Sequence, residues 1–144
     1  MPENNSAPSE QEQPCRIAIG TLGFRRGAIN AVKSAIRAGL FNRERSQEER
    51  AQTLSAMGSE IIAAYNVGRT GAQVIPQVEL RIVSMECSPM FAGIYDRTTR
   101  TILIGKVSLV SYLHELAHHI QSHRDGSSTE AYARGFSLGL FKRA

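Results

Sequence analysis

The sequence predicts an α+β fold, and three observations predict it. Helical apolar periodicity fills the first half, three short β-branched runs follow, and helical periodicity returns to the end. Before these comes MPENNSAPSEQEQP, residues 1–14, with almost nothing apolar. Such a segment cannot offset the entropy of ordering, so a disordered tail is expected. Residues 15–144 are expected to form a single domain, because a chain of 144 residues with 42% hydrophobic content can bury one core without staples.

From residue 17 to residue 40, Leu22, Ala28, Ile29, Val32, Ala35, Ile36 and Leu40 recur at three- and four-residue steps, the pattern of an amphipathic helix. Gly39 and Asn42 mark its end. A second helix starts at Ser46, an N-cap with Glu49 three residues on, and runs through Leu54, Met57, Ile61, Ile62 and Tyr65. The glycines and proline of residues 68–76 read as a connecting loop.

Residues 78–85 alternate as a strand. Residues 91–95 and 101–104 flank the polar stretch Asp96-Arg97-Thr98-Thr99-Arg100 as a β-hairpin would. The expected sheet is small, three-stranded and mostly antiparallel. Residues 107–122 then return to helix, with Leu109, Leu113, Leu116, Ala117 and Ile120 as apolar positions. Arg124-Asp125-Gly126-Ser127-Ser128 breaks it, and a last helix begins near Thr129, offering Ala131, Ala133, Phe136, Leu138 and Leu140 for packing.

Charge and cysteine content narrow the function classes. Cys15 and Cys87 are far apart and match no paired metal or redox spacing, so they read as reduced thiols. The first residues lack the basic start and apolar run of a signal peptide, and no stretch has the length of a membrane span. A cytoplasmic protein with no membrane contact is expected. Net charge is +4, and the tail holds three of the glutamates and no base, leaving about +7 on the folded part. That permits a nucleic-acid partner without requiring one. Arg25, Arg26, Arg37, Arg43, Arg45 and Arg50 fall in the helical first half, where charge is ordinarily a solvated face.

The chemistry concentrates in His114-Glu115-Leu116-Ala117-His118. Histidines four apart on a helix lie about 40° apart around the axis and about 6 Å along it, so both imidazoles reach one zinc ion. Glu115 projects from the neighbouring direction, where a carboxylate can act as general base towards water on the metal. The bland alternative is a helix with polar surface histidines, but all four histidines of the chain, at 114, 118, 119 and 123, cluster here. His119 points about 100° away from His118, the place of an outer-shell or surface residue.

A catalytic zinc takes a third protein ligand from beyond this helix. Glu130, on the following helix, is the first choice, although Ser127-Ser128-Thr129-Glu130 also reads as a capping box that would occupy it. Asp125 and His123 are the other candidates. The positions that a metzincin fills with glycine and histidine are Gln121 and Arg124 here. Tyr95, Tyr112 and Tyr132 are candidate oxyanion donors, each equally readable as a half-buried aromatic. The run at residues 101–104, if it forms the sheet edge, could pair with an extended substrate.

The runs Gly93-Ile94-Tyr95-Asp96 and Thr101-Ile102-Leu103-Ile104, then Leu113-His114-Glu115-Leu116-Ala117-His118, then Glu130-Ala131-Tyr132-Ala133, resemble the ImmA/IrrE-type zincin domain. The likeness covers roughly the last fifty-five residues, and its helix is shared by ArdC-type antirestriction and SprT-like metallopeptidase domains. It implies a zincin-like fold, Zn2+ held by His114, His118 and Glu130, and Glu115 as the catalytic residue. It also implies hydrolysis of peptide bonds in a protein substrate such as a repressor-like regulator. Eleven residues separate His118 from Glu130, fewer than that family usually has. The competing expectation is a non-catalytic zincin-fold module that binds a protein or DNA partner.

Overall fold

The computed structural model describes residues 22–83 and 93–144. The expected tail, both cysteines and the outer parts of the first helix and first two strands, at 17–21, 84–85 and 91–92, lie outside them.

Helix α1 (Leu22–Arg37) buries Phe24, Ala28, Ala31, Val32 and Ala35 along one face. It ends earlier than the periodicity suggests because Gly39 turns the chain at φ 96. The Gly39 N–H donates to Ile36 O and the Leu40 N–H to Ala35 O, a paired closure that only a residue tolerant of positive φ can make. Helix α2 (Gln47–Asn66) begins as its sequence predicts: Ser46 Oγ accepts from the Glu49 N–H, and Glu49 Oε1 accepts from the Ser46 N–H. The two helices pack antiparallel, close enough that a Cβ on Gly27 would lie 2.7 Å from the Ala64 Cβ. Arg50 Nε donates to Leu40 O at 2.8 Å, and Arg45 bonds Ala38 O and Thr53 Oγ1. Those two bases of the helical half therefore tie the α1–α2 connection together.

After α2 and a short 3-10 turn at Gly71–Gln73, the Asn66 side chain clamps the chain through both backbone groups of one residue. Its Nδ2 donates to Ile75 O at 2.9 Å and its Oδ1 accepts from the Ile75 N–H at 2.8 Å. Ile75 is thereby buried and Pro76 held in place.

Strands β1 (Glu79–Ile82), β2 (Gly93–Asp96) and β3 (Thr101–Ile104) form a sheet in the order β1-β3-β2. β2 and β3 make the expected antiparallel hairpin, with Asp96 Oδ1 accepting from the Thr98 N–H in its turn. β1, however, runs parallel to β3, so the sheet is mixed rather than mostly antiparallel. Burial accounts for the order: Ile102 and Ile104 are fully buried, and the most buried strand takes the centre. The same order corrects the expectation that residues 101–104 form an edge; the described edges are β1 and β2.

Helix α3 (Leu109–Asp125) starts at Ser108, whose Oγ accepts from the Ser111 N–H, and stops at Gly126 with φ 80. Helix α4 (Glu130–Arg143) returns against it after a four-residue connection. The core runs through both halves, with Leu54, Met57 and Ile61 of α2 in one cluster with Ile102, Leu113, Leu116 and Phe136. Tyr112 of α3 lies over Gly58 of α2 so closely that a Cβ there would come 1.8 Å from its hydroxyl oxygen. Gly58→Ala is accordingly expected to destabilise the fold by about 3 kcal/mol, read as a lower denaturant midpoint at unchanged slope. No described helix is long and apolar enough to cross a membrane.

Candidate metal centre

Helix α3 has two polar faces embedded in an otherwise apolar surrounding. Leu113, Leu116, Ala117 and Ile120 face the core, and the four-residue spacing stacks His114 and His118 on one side, ring centroids 5.1 Å apart. His118 is buried and His114 half-buried. Burial lowers the pKa of His118 and the charge of Glu130 opposes it, so the imidazole is biased towards the neutral form that can ligate a cation.

Glu130 comes to these rings from α4. Its Oε1 is 2.9 Å from His114 Nε2 and its Oε2 is 3.2 Å from His118 Nε2. Burial pulls its pKa up, but the hydrogen bond and charge of His114, with those of His118, outweigh this and hold it below the usual value. The capping-box reading of Glu130 is overturned. Thr129 is the N-cap, its Oγ1 accepting from the Tyr132 N–H, so Glu130 is the first residue of the helix and not the third. There the carboxylate is free to reach across while the helix terminus favours its charge.

One ligating atom from each of His114, His118 and Glu130 lies within 4.8 Å of the others. Two imidazole nitrogens and a carboxylate oxygen are the donor set that suits a catalytic zinc with an open position. Asp125 and His123 lie elsewhere. Asp125 Oδ1 accepts from the backbone and side chain of Ser127, and His123 Nδ1 turns to His119 O.

Glu115 is buried on the side of α3 that faces β2. The Tyr95 backbone N–H donates to its carboxylate. Burial raises its pKa, the charge of Glu130 adds to the rise, and His114 and the Tyr95 N–H work against it. The strand approaches closely at Gly93, where a Cβ would lie 3.2 Å from Glu115 Cγ and 3.1 Å from Ile104 Cγ2.

Two contributors escaped the sequence reading. Ser128 Oγ is 2.8 Å from His118 Nδ1, on the far side of the ring from Glu130. With His118 Nδ1–H donating to that hydroxyl, Nε2 presents a lone pair to the cluster. Gly93 was signalled only by being a glycine within a strand, a common mark of close approach. His119, expected as an outer-shell or surface residue, is fully buried, which removes the surface alternative. The Tyr95 hydroxyl is bonded to His119 at 2.7 Å, Tyr112 is buried against Gly58, and Tyr132 is buried beneath the Arg124 guanidinium with its hydroxyl unpaired among the described residues.

A groove of about 460 Å³ lies away from the cluster, between α2 and β1, lined by Ala51, Ser55, Leu80 and Ile82. No protein family, no curated protein and no solved structure matches the chain.

Proposed function

We propose that this chain is a zinc-dependent peptidase with a zincin-like fold, binding Zn2+ through His114, His118 and Glu130 and using Glu115 as general base. The observation that carries the reading is the convergence of those three donor atoms beside a buried carboxylate. The chemistry that zinc supplies at such a donor set is Lewis-acid polarisation of the scissile carbonyl and acidification of water. Glu115 takes the proton of the attacking water at its carboxylate and passes it to the leaving amine nitrogen. Its raised pKa makes it a stronger proton acceptor than a solvated glutamate.

The substrate is an extended peptide segment of a protein, a repressor-like regulator being the class that the family resemblance suggests. Among the described residues β2 rather than β3 is the edge beside α3, so a substrate strand would pair there. Arg45 and Arg50 are spent on backbone carbonyls, which weakens the case for a nucleic-acid partner.

One observation favours a second reading. Glu130 bridges both imidazoles at hydrogen-bonding distance, so the trio can also serve as a polar link between α3 and α4 in a non-catalytic module. Zinc-loaded protein incubated with unstructured polypeptides separates the two. Hydrolysis that a chelator stops and added zinc restores is expected; no hydrolysis by the zinc-loaded protein leaves the non-catalytic module. Ser128→Ala is expected to weaken zinc binding by about 10–100-fold, measured by competition with a chelator, because it frees the His118 ring to turn.

A further inference from the structure

His119 follows Glu115 by one helical turn, so the two side chains leave α3 on the same face, towards β2. Its imidazole is fully buried and makes two bonds of 2.7 Å, Nε2 to Pro76 O and Nδ1 to the Tyr95 hydroxyl. A carbonyl oxygen only accepts, so Nε2 carries the hydrogen. Nδ1 is then the acceptor, and the Tyr95 O–H donates to it. Tyr95 therefore meets α3 at both ends: its hydroxyl donates to His119, with Ser122 also beside it, and its backbone N–H lies near enough to the Glu115 carboxylate to favour its charge.

We propose that His119 is a positioning residue for Glu115, acting through Tyr95. β2 is an edge strand among the described residues, paired only with β3, so its distance from α3 is not set by the sheet. The His119–Tyr95 bond sets it. The imidazole is itself anchored from the other side, because Pro76 follows Ile75, the residue that Asn66 clamps to the end of α2. Gly93 completes the arrangement by leaving room for Glu115 Cγ against the strand. With Tyr95 fixed, its N–H orients one oxygen of Glu115 and leaves the other to take the proton.

A merely structural histidine would matter for stability and for nothing at residue 95. The placement of Glu115 rests on the peptidase reading for its catalytic meaning, but the link itself can be read without metal or substrate. Tyr95→Phe removes only the hydroxyl, and His119→Asn keeps an acceptor at the place of Nδ1, so it is the conservative rescue. Amide hydrogen exchange is followed in the metal-free chain at residue 95, with Leu116 as the core reference. Tyr95→Phe is expected to speed exchange at residue 95 by roughly fivefold to tenfold relative to Leu116, and His119→Leu likewise, while His119→Asn stays nearer to the wild type.

In the zinc-loaded chain, Tyr95→Phe should lower kcat with KM and zinc affinity unchanged. Exchange at residue 95 that moves only in step with Leu116, or a kcat that stays at the wild-type value in an active protein, overturns the proposal. If no variant or wild type hydrolyses peptides and exchange at residue 95 still responds, the peptidase reading fails and the positioning link stands.

Discussion

Glu115→Gln is expected to bind zinc as the wild type does and to hydrolyse peptides about 10²–10⁴-fold more slowly, the usual contribution of a positioned proton acceptor. The substitution preserves length and shape, and the glutamine oxygen can still accept from the Tyr95 N–H. What it removes is the basic oxygen. Because the three proposed ligands are His114, His118 and Glu130, none of the donor atoms is touched. Zinc content and turnover measured on the same preparations check both halves of the statement. Equal hydrolysis by the two proteins would remove Glu115 from the chemistry.

Acidification should destabilise the metal-free chain, and His119 is the main reason. Burial lowers its pKa to about 4 from the model-peptide value of 6.5; the Pro76 carbonyl opposes this, and the charges of His123 and Arg100 add to it. Between those two pH values the unfolded chain binds a proton that the folded chain refuses. The stabilisation is therefore complete above pH 6.5 and is lost progressively as pH falls to 4. Its size is on the order of 3 kcal/mol. His118, also lowered by burial, acts in the same direction, whereas the raised pKa of Glu115 acts in the opposite one. Denaturant titrations at pH 7, 5.5 and 4 should show the loss, and His119→Asn should flatten it. A wild-type slope retained in that variant would contradict the assignment to His119.

The parts of the fold legible in the sequence are those set by near neighbours. The Ser46–Glu49 capping box, the single-sided faces of α1 and α2, and the break at Gly126 all depend on residues a few positions apart. The spacing of His114 and His118 belongs to the same class. Strand pairing does not: alternation shows which residues share a face, but not which strand lies alongside, so the parallel β1–β3 pair could not be read. Glu130 turned on a shift of two residues in the N-cap, from Ser127 to Thr129, within the uncertainty of a helix boundary read from sequence. His119 could be read no further than an outer-shell or surface residue because both its partners are distant in the chain, Tyr95 on another element and Pro76 in the loop that Asn66 clamps.

The account stands most directly on one measurement, the zinc bound at equilibrium by the purified chain after dialysis against a weak chelator. The prediction is one zinc per chain in the wild type and in Glu115→Gln, none in His118→Ala, and an affinity lowered by more than 100-fold in Glu130→Ala, since loss of a ligand must exceed the loss of an outer-shell partner. A wild type that retains no zinc, or a Glu130→Ala variant that retains it as tightly, would contradict the proposed centre.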